Sequence, residues 1–390
     1  MIRVVAVLLL ICWGTLSQAE NLGAFCCPFC SAPTLTLTEQ LNSAQTAALV
    51  QWKSGKPANL DEGFNGTTEY EIVQVVHDST GKLEKGQTIH LDRHRAGKVG
   101  DLFVLLGTVT ESIEWSSPLE VTETSFNYMV QAPTKESPAT ARLAYFLRFL
   151  EYSDPIIAND AYAEFANAPY EDIVPLAKDF PRENLRTWLA DPQLNPTRIG
   201  LYGLMLGLCG KPDDAKFVEE LILKPTADFR LGIDGVMAGY LLLRGSAGLD
   251  VIKVSKLQNA EVPFSETFAA MQALRFMWTY GADRISRQDL RNAMQILLDR
   301  PNLADLVIVD LARWHDWGVM DRLFAMYTSP EYDVPSIKRA IVRFLMIAEK
   351  SSVEKGEISE AQQKHAQDYL ARLRETDPET VSKAEKYFFD

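Results

Sequence analysis

The sequence lacks the short motifs that identify most enzymes. Its 390 residues contain no Gly-x-Ser-x-Gly nucleophile elbow, phosphate-binding loop, dinucleotide fingerprint or His-Glu-x-x-His pair. Adjacent acids such as Asp213 and Asp214 fall early in a predicted helix, where they favour the helix dipole and face water. These absences favour a protein that is not an enzyme, and they predict no cofactor.

Positive charge and long apolar runs are also scarce. The chain carries 39 Lys and Arg against 52 Asp and Glu, a formal net charge of -13, and such a surface repels nucleic-acid phosphates. Beyond the N-terminus no stretch is long and apolar enough to cross a bilayer. With 47% hydrophobic residues the chain can bury a sizeable core, and its length suits two domains. We therefore expect no nucleic-acid partner and no stable membrane insertion after signal cleavage.

The first residues have the pattern of a secretory signal. Arg3 supplies a positive start, an apolar core runs from Val4 to Leu16, and a small-x-small cleavage site ends at Ala19. The core is shorter than the roughly 18 residues that a membrane helix needs, and an uncleaved anchor is the alternative. We predict a signal peptide at residues 1–19 and an exported, secreted protein that is periplasmic or extracellular.

Only five cysteines are present, and three of them lie just behind the predicted signal, in a Cys-rich segment at residues 20–33. The pair Cys27 and Cys30 has the spacing of a thiol–disulfide oxidoreductase, whose motif follows a strand and opens a βαβ unit. Here no strand precedes the motif, so a structural disulfide is favoured; redox catalysis and a metal half-site are the alternatives. One cysteine is left over from any local pair. The disulfide candidates are Cys26, Cys27, Cys30 and Cys209.

Residues 34–125 have the alternating pattern of β-strands. Short runs of alternating or apolar residues are separated by turn sequences at residues 78–81 and 96–97. Four or five short strands in about ninety residues predict a small antiparallel barrel or sandwich. The predicted strands cover residues 47–52, 67–76, 86–91 and 102–107.

The pattern changes to helices after a predicted linker at residues 126–137, so residues 138–390 form an α-helical domain. Proline follows a capping side chain where helices can begin, and two Ser-x-x-Asp or Ser-x-x-Gln sequences add further helix starts. The proposed starts are Ser137-Pro138, Asp154-Pro155, Asp191-Pro192, Asn195-Pro196, Ser286, Ser329-Pro330 and Ser359.

An internal repeat marks this helical region. Prolines recur at intervals of 33 to 38 residues, which suits a helical hairpin repeated in series. Within it, residues 198–207 match residues 230–239 at an offset of 32, with three glycines at identical spacing. Since glycine costs a helix about 1 kcal/mol relative to Ala, we expect two helices to approach closely across these glycines. A membrane helix-dimer motif is the alternative.

Two family resemblances follow from these patterns. The repeat length and the Asp-Pro helix starts of residues 138–350 resemble a degenerate HEAT-type α-solenoid. The strand region resembles the netrin-like, tissue-inhibitor-of-metalloproteinase-like OB barrel. The resemblance rests on the cysteine near the mature N-terminus and on residues 69–76, 85–86 and 101–106, although the Cys-x-Cys start of that family is missing. The whole chain resembles exported proteins of planctomycete-type bacteria, which implies export and no particular activity. The implied fold is α+β and multidomain: a small antiparallel OB-like β-barrel followed by an all-α HEAT-like repeat domain.

Three short clusters are weak candidates for sites. His90, Asp92 and His94 fall on one face of a predicted strand and can hold zinc or a related ion, or simply form its solvated face. Three basic residues near 93–98 suit an anionic ligand or a solvated loop. A Trp-His-Asp-Trp-Gly sequence either lines a binding groove or seals a helix end, with Gly318 taking the left-handed position. The binding candidates are Arg93, Arg95, Lys98, Trp314, His315 and Trp317.

The sequence therefore favours an exported, non-enzymatic binding or scaffold protein. Solenoids stack their repeats into extended surfaces suited to protein or peptide partners. The first alternative is an exported thiol–disulfide oxidoreductase that uses Cys27 and Cys30. The second is a netrin-like protease inhibitor, in which the free amine of the first cysteine caps the metal of a protease.

Overall fold

A computed structural model describes residues 27, 29–30, 35–59, 61, 63–226 and 228–386 of the chain. It has an α+β layout, with one antiparallel sheet on the N-terminal side followed by a long helical region. The predicted signal peptide at residues 1–19 and the candidate Cys26 lie outside the described residues. No helix in the described ranges is both long enough and apolar enough to span a membrane.

The sheet contains six strands, where four or five were predicted. They are β1 (Thr46–Lys56), β2 (Thr67–Asp78), β3 (Thr88–Leu91), β4 (Leu102–Val109), β5 (Ile113–Trp115) and β6 (Leu119–Val121). Their order is β3-β2-β1-β4. On the other side of β4, residues 107–109 pair with β5 and residues 102–104 pair with β6. Three register shifts in the β1–β2 pairing mark bulges, which bend a strand and increase its twist.

The central strands of the sheet are buried on both faces. On one face Ala48, Val50 and Phe103 belong to a small core within the sheet. On the other face Ala47 and Val104 join the large core of the helical region. Because alternate residues of a strand point to opposite faces, β1 and β4 link the two cores. One face of the sheet therefore shares the hydrophobic core of the helices, and the other face has a small core of its own.

The described residues form seventeen α-helices, of which α1 precedes the sheet. They are α1 (Leu37–Ser43), α2 (Glu123–Gln131), α3 (Ala139–Phe146), α4 (Pro155–Ala166), α5 (Tyr170–Ile173), α6 (Arg182–Ala190), α7 (Ile199–Cys209), α8 (Pro212–Leu223), α9 (Ile233–Arg244), α10 (Ser246–Ile252), α11 (Phe264–Tyr280), α12 (Arg287–Ile296), α13 (Pro301–Arg313), α14 (Met320–Thr328), α15 (Pro335–Lys350), α16 (Glu360–Thr376) and α17 (Pro378–Lys386).

Several predicted helix starts are confirmed by their capping hydrogen bonds. The Asp154 side chain accepts from the Ile156 amide with Pro155 at the first position of α4, and Ser286 and Ser359 cap α12 and α16. The predicted start at residues 191–192 is wrong, because these residues lie in a turn after α6. An Asx-type hydrogen bond from the Gln193 amide to Asp191 stabilises that turn instead.

Helix α2 occupies the first half of the predicted linker. It is capped by Thr122, whose hydroxyl accepts from the Ser125 amide, and Phe126 and Met129 on its inner face are buried. These apolar side chains belong to the core that the sheet shares with the helical region. The segment between the two regions is therefore packed rather than extended.

The predicted close approach of two helices across glycines is confirmed. A Cβ atom added to Gly203 of α7 would lie 2.6 Å from the Cα of Val236 in α9, and one added to Gly207 would lie 2.6 Å from the carbonyl oxygen of Gly239. Such distances are far below van der Waals contact, so the two backbones touch directly. The glycines of α7 and α9 are needed for this packing.

Substitution of Gly207 by Ala should therefore lower the free energy of unfolding by about 2 kcal/mol or more, since overpacking outweighs the better helix propensity of Ala. Urea denaturation measures the effect. The matched control is Gly318→Ala, because a Cβ there would have its nearest neighbour, an Asp316 Oδ1 atom, at 3.8 Å. We expect the control to be neutral or slightly stabilising, and equal effects of the two substitutions would contradict the packing account.

Candidate functional site

The described residues of the Cys-rich segment, Cys27, Phe29 and Cys30, pack against the helical region. The Cys27 amide donates to the carbonyl oxygen of Ala166 at the end of α4, at 3.2 Å. The Phe29 ring lies 5.1 Å from the ring of Phe276 in α11. A Cβ on Gly200 would lie 2.6 Å from the Phe29 carbonyl oxygen, so this glycine also makes room for Phe29. Cys27 and Phe29 are therefore buried in the core.

The Cys30 thiol is not activated. Burial raises the pKa of the Cys30 thiol well above its ordinary value, and its contacts with Cys27 and Asp234 raise it further, while a hydrogen bond from Tyr162 lowers it. An oxidoreductase needs the opposite, a thiol whose pKa is lowered so that the thiolate forms. Cys27 is only 4% exposed, which further restricts access. The geometry therefore favours a structural role for this pair.

The described cysteines are free thiols in this structure, and the predicted disulfide stays a prediction. Cys209 ends α7, whereas Cys27 and Cys30 lie by the start of that helix near Gly200. The intervening helix is about 13 Å long at 1.5 Å per residue, and a disulfide requires Cα atoms about 4.4–6.8 Å apart. A bond between Cys209 and either of these cysteines does not fit the fold.

The predicted metal face on the third strand does not form. Strand β3 ends at Leu91, so only His90 of the three candidates lies on it, and its Nδ1 is 3.4 Å from a Glu69 carboxylate oxygen. The chain bends at Asp92, and the His94 amide donates to the Asn65 carbonyl oxygen. In the described part of the chain, no three His, Cys, Asp or Glu side chains are placed to hold a metal ion.

Two of the three predicted basic residues are engaged within the sheet. The guanidinium of Arg93 donates to the carbonyl oxygens of Trp115, at 2.6 Å, and Ser116. Arg95 pairs with Glu120 at 2.9 Å and lies over the ring of Phe103. Lys98 is exposed. Arg93 and Arg95 therefore bind other parts of the sheet region, and this makes a free anion site less well supported.

The tryptophan cluster seals the end of α13. Trp314 stacks on Trp278 with ring centroids 4.4 Å apart, and the Trp317 indole donates to the Glu357 carbonyl oxygen at 2.8 Å. Both rings are buried. The prediction that Gly318 takes the left-handed conformation is wrong, because His315 does so, with φ of 52°. Gly318 instead lies in a short 3-10 turn, Trp317–Val319.

Two buried carboxyl groups, Asp160 and Glu164, were not predicted from the sequence. They are four residues apart on α4, a helix otherwise rich in Ala and aromatic residues, and this spacing is the signal that could have revealed them. Asp160 accepts from the Leu37 amide at 2.6 Å and from the Tyr128 hydroxyl at 2.8 Å. Glu164 accepts from the Thr38 hydroxyl. The pair therefore joins α1 and α2 to α4.

Burial raises the pKa of Asp160 to about 6, with a further contribution from the nearby Glu164 charge, although the hydrogen bonds from Leu37 and Tyr128 lower it. Since the folded state then binds more protons than the unfolded state between about pH 4 and pH 6, the contribution of Asp160 to stability falls as the pH rises through this range. Glu164 also lies 3.7 Å from Arg142.

Replacement of Asp160 by Asn should remove this dependence. We compare the free energy of unfolding of the wild-type protein with that of Asp160→Asn. From pH 4 to pH 7 the wild-type value should fall relative to the variant value by roughly 3 kcal/mol at most. Urea denaturation of both proteins at several pH values measures the difference. Parallel pH profiles for the two proteins would contradict a raised pKa at Asp160.

Another correction concerns Asp214, which does not face water. It is fully buried, and its carboxylate accepts from Arg182 at 2.6 Å and from Arg186 at 2.7 Å. Burial opposes its ionisation, yet the hydrogen bonds of the two arginines outweigh that effect and hold its pKa below the ordinary value. Two further buried acids form comparable pairs: Arg230 with Glu266, 36 residues apart, and Arg275 with Asp310, 35 residues apart.

A group of exposed apolar side chains lies on the middle of the helical region, which we call the central surface. Phe229 is 72% exposed and Val254 is 66% exposed. Single exposed apolar residues are ordinary, but a group of them marks an interaction site more often than chance. The central surface consists of Leu223, Phe229, Leu231, Val254 and Phe264.

Two adjoining cavities open on the central surface. The apolar cavity, of about 310 Å³, is lined by Ile199, Leu221 and Phe229 among others. The polar cavity, of about 280 Å³, is lined by Lys256, Glu266 and several smaller polar groups. Lys224 lines both cavities, which places them side by side. Volumes near 300 Å³ are at the lower end of those that hold small ligands.

The polar cavity contains a buried ion pair on an unusual helix. Lys256 lies in a π-helix, Lys253–Leu257, a form that is frequent at functional sites. Its Nζ is 2.8 Å from a Glu266 carboxylate oxygen, and Arg230 donates two hydrogen bonds to the same carboxylate. Burial opposes the ionisation of Glu266, but Arg230 and Lys256 outweigh it and hold its pKa below the ordinary value.

A larger open cavity of about 700 Å³ lies between α14, α15 and α16. Four of its polar side chains are paired with one another: Lys338 with Asp333 at 2.6 Å, and the Tyr327 hydroxyl with Asp377 at 2.9 Å. Burial and the hydrogen bond to Asp377 raise the pKa of Tyr327, so this hydroxyl stays protonated and donates. Because these four groups already have partners, this cavity is a weaker candidate than the central surface.

No protein-family model matches the sequence, and no curated protein is similar enough to count as a relative.

Proposed function

We propose that this chain is an exported, non-enzymatic binding protein whose helical-repeat surface engages a protein or peptide partner. The observation that carries the proposal is the central surface, where three exposed apolar side chains, Leu223, Phe229 and Leu231, line two adjoining cavities. Large apolar side chains exposed around a cavity are costly in water, and such sites typically bind a partner.

The helical region is proposed to be a HEAT-type solenoid. Helices α7, α9 and α11 contact one another in succession, while α8 and α10 pack against α9. These contacts are those expected of stacked helical hairpins and support the proposal. The buried arginine–acid pairs, which span 32 to 36 residues, add a second regularity at the same interval. Both features support repeated units and an extended binding face.

The sheet is proposed to be a partly open barrel of the OB type. Its small inner core and the bulges of β1 support a curled sheet. Among the described strands β3 lies at one edge and β5 and β6 lie at the other. Arg93, just beyond β3, donates to a carbonyl oxygen at the end of β5. The role proposed for the sheet is structural, since its outer face joins the core of the helices. Protease inhibition would need the free amine of the first cysteine, Cys26, which lies outside the described residues.

Selection of a random dodecapeptide library on the immobilised protein tests the binding proposal. We expect the selected peptides to converge on a shared pattern, and their binding to fall at least tenfold, about 1.4 kcal/mol, in the variant Leu223→Ser/Phe229→Ser/Val254→Ser. These side chains are exposed, so the variant should keep its fold.

A matched control variant changes three exposed apolar residues elsewhere, Val99→Ser/Ile156→Ser/Leu306→Ser. It should bind the selected peptides as the wild type does. If no pattern emerges, or if both variants lose binding equally, the central surface is not the binding site and the proposal fails.

A further inference from the structure

The charge around the polar cavity is unbalanced. Glu266 carries one negative charge but contacts two cations, Lys256 and Arg230, both of which are largely buried. Lys224 adds a further positive charge at the rim, while Glu261 adds a negative one. The lining residues of the cavity alone balance, but Arg230, which lines the adjoining apolar cavity and neutralises Glu266, leaves the group with one net positive charge. This excess favours a negatively charged group.

Lys256 has donors to spare. An ammonium group carries three N–H donors, and among the described residues the one side-chain acceptor of Lys256 is Glu266. Lysine is almost never this buried unless it is paired. Small polar groups of Ser255 and Asn259 line the same cavity. A carboxylate that enters the cavity would meet the remaining donors of Lys256 and the charge of Lys224.

The neighbouring apolar cavity determines which kind of group the ligand must carry near that carboxylate. Its walls include Leu221, Phe229 and Leu231, and Lys224 separates it from the polar cavity. One ligand can fill both only if a negative group and a large apolar side chain are adjacent in it. Side chains two residues apart in an extended peptide point to the same face and meet this requirement.

We propose that the central surface binds an extended peptide segment in which a carboxylate side chain lies two residues from a large apolar side chain. The carboxylate enters the polar cavity beside Lys256 and Lys224, and the apolar side chain enters the apolar cavity against Phe229. This inference rests on the proposed function and names the chemistry of the partner. A charge-assisted hydrogen bond of this kind discriminates strongly against a neutral isostere.

Two probe peptides test the inference on the full chain: acetyl-Gly-Leu-Phe-Glu-Leu-Gly-amide and the same peptide with Gln in place of Glu. Their blocked termini leave the Glu side chain as the single carboxylate. Calorimetric titration at low salt should show the Glu peptide binding at least about tenfold more tightly, since only this peptide forms hydrogen bonds between a carboxylate and the lysines.

The discrimination between the peptides should disappear in Lys224→Met, a change at an exposed position that leaves the core intact, and in Lys256→Met. Lys216→Met is the matched control, because Lys216 is equally exposed on α8 but lies outside both cavities. It should keep the tenfold preference.

Equal binding of both peptides, with loss of both in Phe229→Ser, would overturn the carboxylate inference while leaving the proposed function in place. Binding of neither peptide would also overturn the inference, and the library selection would then decide the proposed function separately. The third outcome is that Lys224→Met and Lys216→Met reduce the preference for the Glu peptide to the same extent. This result would show only a general attraction between charges, and it would also overturn the assigned site.

Discussion

The direct contact between the backbones of α7 and α9 is the constraint on which the rest of the helical region depends. Glycines on both helices allow this contact, and α9 then also packs against α8, α10 and α11. Gly200 makes room for the Phe29 carbonyl oxygen, so the same helix face positions the Cys-rich segment. The loop that carries Phe229 leads directly into α9, so the central surface depends on the placement of this helix.

Buried polar groups fix the arrangement around that contact. Asp160 and Glu164 join the first two helices to α4, and buried arginine–acid pairs join successive parts of the helical region. Loss of one partner from such a pair is costly because it leaves an uncompensated buried charge. These groups therefore favour one alignment of the helices over others. The pair of Glu266 and Lys256 differs from the rest, because it opens into a cavity and retains unused donors.

Local patterns in the sequence predicted much of this fold. Alternation located the four longest parts of the sheet, capping side chains located α4, α12 and α16, and the spaced glycines predicted the α7–α9 contact. Contacts between distant residues were beyond these patterns. Helix α2 was missed because its short apolar face is explained only by the core it covers. Burial of Asp214 depends on Arg182, 32 residues away, and the turn at His315 depends on the packing of Trp314 and Trp317. The central surface was missed for the same reason, since Leu223, Val254 and Phe264 come from three different elements.

Native-state hydrogen exchange, followed by mass spectrometry, tests the central claim most directly. If the glycine contact organises the helical region, amides within residues 199–209 and 233–244 should exchange more slowly than those of α16 and α17, and only through global unfolding. The account would be contradicted if the amides of α7 and α9 exchanged through local fluctuations, at rates as fast as those of α17.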